Sequence, residues 1–321
     1  MLIPEQFAMR RTGITATDAP KILGYHPQGS IRGVWMDKKG LTEDVQNEAM
    51  YWGSEHEETI AKRFQRDHPE LAMWDPAKTF RSEAQPWMLA TPDRFLSPSS
   101  SHPPYPLEIK TANQFMAAEW GDGPDEIPKH YLLQVLWQLA VLDAPVARVA
   151  VLIGGNDYRD HYEIHRDAEL EEMMIGECGK FWTDCVNGDT EPDFVGSVAE
   201  TNRLKTMYPE SAEDDWIQPD ELIEAEWRAY ALARQDAERL GQQTLRHENW
   251  LRNRIGAKTG IAGLISYRQA REGHRIDWKA VAFDMKATRE IIEKFTTTTP
   301  GSRRFLPKKL WRDVKAEEIP E

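Results

Sequence analysis

The sequence predicts an α/β protein of the α+β kind, with a central mixed β-sheet flanked by helices and a mainly helical C-terminal extension. Three observations lead there. Helix-patterned segments fill the first third, and short strand-like runs follow near Met73, at Trp87 to Ala90 and at Leu107 to Lys110. A helical pattern from about Pro128 to Leu142 then separates these from a strand pair, Ala147 to Ile153 and Tyr158 to His165. Helices, three strands, a helix and two more strands make a mixed sheet with helical cover. From Pro192 to about Pro219 the sequence turns polar and loses periodicity, so residues 1–192 are expected to form the core and 193–321 an extension.

Taken in order, Thr17 or Asp18 can cap a short helix through Ile22 and Leu23 that stops at Gly24, and Ser30 can cap another that stops at Gly40. A longer helix is expected from about Asn47 to Asp67, with Ile60, Ala61 and Phe64 as its buried stripe and Glu57 on the same stripe. The strand after the Pro128 helix is expected to be central, and Gly154-Gly155-Asn156-Asp157 to turn it into its partner. A helix over roughly Asp167 to Val186 ends at Asn187-Gly188. The extension reads as one or two charged helices over Glu221 to Asn253, hairpin-like pieces at Gly263 to Arg268 and Arg275 to Phe283, and a helix near Ala287 to Phe295.

With 321 residues and 40% hydrophobic content, the chain can bury a real core. It holds no apolar run long enough to span a bilayer, and Met1-Leu-Ile-Pro4 leads into polar sequence instead of a secretory h-region, so a cytoplasmic location is expected. Cys178 and Cys185 lie seven apart in a helical pattern and read as small core hydrophobes; two cysteines cannot ligate an iron–sulfur cluster. The net charge of −13 argues against a nucleic-acid partner only if spread evenly. Many acids cluster in Glu210 to Glu226 and in the tail, whereas Arg10, Arg11, Lys21, Arg32, Lys38 and Lys39 sit together near the N-terminus, and local charge sets the field in a cleft.

The candidate chemistry lies in four positions. In the run Pro106-Leu-Glu-Ile-Lys-Thr111, strand alternation turns Leu107 and Ile109 to one face and Glu108 and Lys110 to the other. Asp93 follows Thr91 and Pro92; from a neighbouring strand, it converges with Glu108 on one hard cation. Glu57, on an apolar stripe, needs a cation or a donor, because an unpartnered buried carboxylate costs several kcal/mol. Taken alone, Glu-x-Lys is more often a solvated strand face and an Asp after Pro a turn residue, whereas Glu57 on an apolar stripe is more unusual; the three in this order are much harder to assign to chance. On the Pro128 helix, Tyr131, Gln134 and Gln138 share helical spacing. Gln134 can orient a water or a phosphate oxygen, Tyr131 can contact a DNA backbone, and Gln138 reads as a partly exposed edge. Arg11 and Thr17 flank Gly13-Ile14-Thr15-Ala16 just before a helix start, where an anion such as a terminal phosphate is favoured. Trp52, Trp120 and Trp137 are read as core residues, with stacking platforms for unwound bases as the alternative.

The run Arg11-Thr-Gly-Ile-Thr-Ala-Thr-Asp18, Trp52-Gly53 followed by Glu57, Thr91-Pro-Asp93, Leu107-Glu-Ile-Lys110, and Tyr131 with Gln134 together resemble the YqaJ-type viral recombinases. These are phage exonucleases similar to lambda exonuclease, within the PD-(D/E)XK nuclease superfamily, and the resemblance spans about residues 8 to 190. It implies that Asp93 and Glu108 ligate Mg²⁺, or Mn²⁺, together with the carbonyl of Ile109. It also implies that Lys110 helps activate the water, that Glu57 contributes to the metal or water shell, that Gln134 positions the nucleophile, and that Arg11 and Thr17 receive a 5′ phosphate. Thr17 stands where members often have Ser, Arg94 stands where Gly commonly follows Pro-Asp, and the loop Ser97 to Pro104 is long and rich in Ser and Pro.

The function so implied is a Mg²⁺-dependent 5′-to-3′ exonuclease on double-stranded DNA ends that leaves 3′ single strands for phage-type recombination. Its implied partners are a single-strand annealing protein and further copies of the chain in a ring, in a phage- or prophage-encoded setting. No Gly-x-x-x-x-Gly-Lys-Ser/Thr loop occurs, so the activity is expected to be independent of ATP. An endonuclease on the same core and a non-catalytic DNA-end-binding factor remain as alternatives. A glycosidase built on paired carboxylates would not call for Lys110 or for Arg11 and Thr17.

Overall fold

The computed structural model describes residues 9–42, 48–98, 102–211, 215–270 and 277–297. Met1 to Pro4, Asn47, part of the Ser97 to Pro104 loop, residues 275–276 and the tail acids lie outside the described residues. The chain divides into two compact units, Met1–Met207 and Tyr208–Glu321.

The first unit is built on two sheets. Five strands, β2 (Ala72–Trp74), β5 (Arg94–Ser97), β6 (Tyr105–Ala112), β7 (Val146–Ile153) and β8 (Asp157–His165), lie in the order β2-β5-β6-β7-β8. Only β6 and β7 run parallel, so the sheet is mixed as expected. A parallel pair needs a crossover, and helix α4 (Lys129–Leu142) supplies it. Strand β7 is interior, but β6, which carries Glu108 and Lys110, takes the middle position. Gly154 and Gly155 turn β7 into β8 at φ 59° and 79°, values that glycine adopts without a Cβ penalty.

A smaller sheet of order β1-β4-β3 joins β1 (Ile14–Thr15), β4 (Met88–Ala90) and β3 (Phe80–Arg81). Its two-residue strands leave no alternation to read, and neither β1 and β3 nor β5 of the larger sheet was expected from the sequence; the expected Trp87 to Ala90 strand falls in this smaller sheet, and β5 takes the place beside β6. The parallel pairing of β1 with β4 depends on Gly13: a Cβ there would lie 2.4 Å from the Trp87 carbonyl oxygen, beside the 2.7 Å bond from the Ile14 N–H to the same oxygen.

Helix α3 (Glu48–Asp67) covers one face of the large sheet. Its Ile60, Ala61 and Phe64 pack with Leu71, Leu96, Leu107, Ile109 and Ala150. Full burial of Ile60 and Phe64 contributes about 2–3 kcal/mol each. Helix α4 covers the other face with Val135, Leu136 and Leu139, against Val149, Val151 and Ile153. Two short helices precede α3: α1 (Ala19–Ile22) and α2 (Ile31–Lys38), the latter capped by Ser30, whose Oγ accepts from the Gly33 N–H at 3.1 Å. After β8, α5 (Ala168–Lys180) is capped by Asp167 and continues as one π-helical stretch, Phe181–Val186. Cys178 is buried and Cys185 half-buried, both free thiols.

The polar segment after Pro192 holds an unexpected helix, α6 (Val198–Met207). Its amphipathic signal is weak because a polar group anchors it: buried Glu200 accepts from Ser30 Oγ at 2.5 Å and pairs with Arg203.

In the second unit one helix, α7 (Glu221–Ile255), runs about 52 Å. Asp220 caps it by accepting from the Ile223 N–H at 2.8 Å. A small antiparallel pair follows, β9 (Gly260–Ile261) with β10 (Ile265–Ser266). The hairpin expected over Arg275 to Phe283 is instead helix α8 (Trp278–Asp284) across its described part. Asp277 caps it, accepting from the Ala280 N–H at 3.1 Å, and that local bond overrides the alternation that suggested strands. Helix α9 (Arg289–Lys294) lies inside the helix expected there. No helix among the described residues is long and apolar enough to cross a membrane.

Candidate active site

A cleft of about 450 Å³ opens where the pairing of β5 with β6 stops, lined by Asp93, Glu108, Lys110, Gln134, Gln138 and Glu57 at one end and by Arg10 and Thr17 at the other. The β5–β6 register ends at Arg94 opposite Leu107, so Asp93 falls beside Glu108. Asp93 Oδ2 accepts from the Ile109 N–H at 2.7 Å, replacing the ladder bond that a longer β5 would have made. Strand alternation does what the sequence suggested: Leu107 and Ile109 enter the core under α3, while Glu108 and Lys110 face α4.

Glu108 is only 2% exposed, and three donors hold it. Lys110 Nζ and Gln134 Nε2, the latter at 2.5 Å, donate to Oε1, and Gln138 Nε2 donates to Oε2 at 2.6 Å. Gln138 is therefore not an exposed edge: it is 1% exposed, and its Oε1 has no partner among the described residues. The sequence held the signal, since two glutamines four apart in the otherwise apolar stretch 132–142 both need buried partners.

Burial pushes the Asp93 carboxyl well above the usual carboxylate range, and the neighbouring Glu108 and Glu57 add to it; Lys110 and the Ile109 N–H offset this only in part. Burial alone would lower Lys110, but Glu108 and Asp93 outweigh it and raise its pKa, so it stays an ammonium. Its Nζ also lies 5.0 Å from the centroid of the Tyr131 ring, which places Tyr131 behind the lysine and outside the cleft lining.

Glu57 lines the cleft with its side chain 34% exposed, and its Oε1 accepts from Arg94 Nη1 at 2.6 Å. Arg94 also holds Glu58 at 2.8 Å and bonds the Asp93 carbonyl at 2.6 Å. Arg94 thus ties α3 to the start of β5 and supplies a cation to Glu57, which is half-exposed and not the inward-facing acid its stripe suggested.

At the other end, Arg10 Nη2 donates to Thr17 Oγ1 at 2.9 Å, and Thr17 Oγ1 lies 3.0 Å from Thr15 Oγ1. Thr15 donates through its N–H and its hydroxyl to Asp18 Oδ2, at 3.1 and 2.7 Å. Lys38, whose side chain is fully buried, donates to Asp18 Oδ2 at 2.6 Å and to the Arg10 carbonyl at 2.7 Å, closing the ring. Burial works against the Asp18 carboxylate, but Lys38, Lys21 and Arg10 hold its pKa far below the usual range. The structure brings Arg10 to Thr17; Arg11 turns instead toward Asp37, 3.8 Å away, and does not line this cleft. Sequence spacing cannot choose between adjacent arginines in a turn.

Of the tryptophans, Trp120 and Trp137 are core residues at 3% and 1% exposure, but Trp52 is 53% exposed and stacks on His56 at 5.8 Å. Among the described residues no group of three or more His, Cys, Asp or Glu gathers as a ready metal centre. The carboxylates able to hold a hard cation are Asp93 and Glu108, a donor set that suits an ion keeping most of its own waters.

Against known proteins, a YqaJ-like viral recombinase domain matches residues 5–145. A Bacillus subtilis (strain 168) protein named Uncharacterized protein YqaJ is 31% identical over 290 residues, covering 89% of this chain and 86% of that one. Among solved structures, the alkaline exonuclease LHK-Exo from Laribacter hongkongensis shares 17% identity with a TM-score of 0.45, over 64% of this chain and 97% of that one. A phage related exonuclease from Haemophilus somnus 129PT shares 15% identity with a TM-score of 0.40, over 56% and 98%. With nearly a third of its residues identical along most of both chains, the protein belongs to the YqaJ-like viral recombinase family.

Proposed function

We propose that this protein is a Mg²⁺-dependent, ATP-independent 5′-to-3′ exonuclease that acts on double-stranded DNA ends and leaves 3′ single strands for phage-type recombination. The carrying observation is the charge imbalance at Asp93 and Glu108: a half-buried and a fully buried carboxylate face one lysine, and Asp93 is pushed toward its neutral form. A divalent cation relieves that imbalance, and a cleft that gathers a cation beside a lysine suits a phosphodiester. Alkaline exonuclease and phage related exonuclease are also the descriptions carried by LHK-Exo and by the Haemophilus somnus protein.

In this reading Asp93, Glu108 and the Ile109 carbonyl hold Mg²⁺, with Mn²⁺ as a substitute. The N–H and C=O of a strand residue project to the same edge, and the Ile109 N–H already meets Asp93 there. When bound, the ion lowers the pKa of a water and polarises the phosphate. Lys110, held as an ammonium, stabilises the charge that builds on the phosphate oxygens. Gln134, with its amide donor engaged by Glu108, turns its carbonyl end to the attacking water. Glu57, fixed by Arg94, borders the water shell. Arg10 and Thr17 receive the 5′ phosphate, with Arg11 and Tyr131 farther along the DNA backbone. A single-strand annealing protein and a homo-oligomeric ring complete the proposed setting.

The test is digestion of linear duplex DNA, with and without a 5′ phosphate, beside a closed circle, in Mg²⁺ and in EDTA, with Lys110→Ala in parallel. Metal-dependent loss of the linear substrate from phosphorylated 5′ ends is expected, with the variant slower by at least about 10³-fold. Cutting of the circle would make the protein an endonuclease, and binding without cleavage would make it an end-binding factor.

A further inference from the structure

A second cavity of about 530 Å³ lies next to the cleft in the first unit and shares Arg10 with it. Its walls come from the turn around Arg10, from α1, from the segment leading into α2, and from α6, and they carry Arg10, Arg11, Lys21 and Arg203 alongside Asp18 and Asp37. In a chain of net charge −13, this is a local concentration of cations.

The acids present do not cancel it. Asp18 is 4% exposed and already neutralised by Lys38, and Asp37 lies 3.8 Å from both Arg11 and Lys38. Lys21 is the group held ready. Its nearest carboxylate oxygen, on Asp18, is 3.9 Å away, beyond hydrogen-bond reach. Its stem packs over Gly29, where a Cβ would lie 2.5 Å from Lys21 Cγ, so the glycine leaves room for the lysine to lie along the cavity wall. Arg203 comes from α6, fixed by its pair with Glu200.

We propose that this cavity is a subsite for a backbone phosphate of the bound DNA strand, on the 5′ side of the phosphate at Arg10 and Thr17. The proposal rests on the exonuclease reading. With the scissile phosphate at Asp93 and Glu108 and the preceding one at Arg10 and Thr17, any further strand in the 5′ direction continues past Arg10 into the second cavity. A duplex with a short 5′ single-stranded extension is therefore held rather than rejected, and residues beyond Pro192 contribute to the binding through Arg203.

The experiment measures binding of the full chain in EDTA at low salt, by fluorescence anisotropy, to 5′-phosphorylated duplexes that are blunt, carry a short 5′ extension, or carry the same extension with abasic sugars. The wild type is expected to prefer both extended duplexes to the blunt one. Lys21→Gln should lower the extended-to-blunt affinity ratio roughly fivefold, and Lys21→Arg should restore it. An unchanged ratio in Lys21→Gln overturns the subsite, as does a preference that vanishes with the abasic extension, which would mean that bases and not phosphates are recognised. Failure of the wild type to bind any of the duplexes removes the exonuclease reading itself, an outcome separate from binding that ignores Lys21.

Discussion

Asp18 is buried and Asp93 half-buried, each is under the influence of a lysine, and each accepts a backbone N–H, yet their carboxyls are driven in opposite directions. Asp18 has Lys38 in direct contact with Lys21 and Arg10 behind it, and stays ionised far below the usual range. Asp93 shares Lys110 with Glu108, with Glu57 close by, and is pushed well above that range. Desolvation works against both carboxylates, so the neighbouring charges make the difference. Where the cations suffice, an aspartate braces a turn; where they fall short, the site is open to a charge from solution. In physical terms the first cluster holds the anion corner in place and the second is where the chemistry belongs.

The sharpest way to break this comparison is to unbalance the braced cluster. Lys38→Met leaves Asp18 buried without its main cation and is expected to cost about 3 kcal/mol, read by urea unfolding. Because the Asp18 pKa is depressed in the fold, its contribution is present above the usual carboxylate range and is lost as pH falls through the folded value, so wild type and variant should converge toward strongly acid pH. A constant gap down to low pH would mean that packing, and not charge, sets the cost.

A smaller effect probes how the open site is held. Gln138→Leu removes one of the donors to Glu108 together with the unpartnered Oε1, so its expected outcome is a rate of DNA hydrolysis lower by about tenfold with little change in stability. An unchanged rate would show that Lys110 and Gln134 alone suffice to orient Glu108.

The smallest expected effect has the opposite sign to most active-site substitutions. With its folded pKa raised, ionised Asp93 weakens the metal-free fold once pH rises above the ordinary carboxylate value. Asp93→Asn keeps an acceptor for the Ile109 N–H and removes that penalty. In EDTA near neutral pH the variant should melt slightly higher than wild type, with the difference shrinking toward pH 4. A lower melting temperature would mean that the attraction to Lys110 already balances the site.

Much of the first unit was legible because period-two and helical patterns report burial directly. Leu107 and Ile109 pack under α3 and Glu108 and Lys110 face α4, as alternation requires. Short and anchored elements were not legible. The two-residue strands β1 and β3 carry no pattern, and α6 is held by Glu200 against Ser30 rather than by an apolar stripe. Trp52 was misread because composition predicts burial for tryptophan, whereas its position on α3 leaves it stacked on His56 in solvent.

By itself the sequence determined the longer helices of the first unit, the strand that carries Glu108 and Lys110, and the grouping of acids with one lysine, because side-chain period and residue chemistry are local properties. Only the tertiary structure decided that Arg10 and not Arg11 meets Thr17, that Gln138 is a buried donor to Glu108, and that Arg94 claims Glu57. Those choices depend on which neighbour a side chain finds across space, and on whether the charges gathered there cancel.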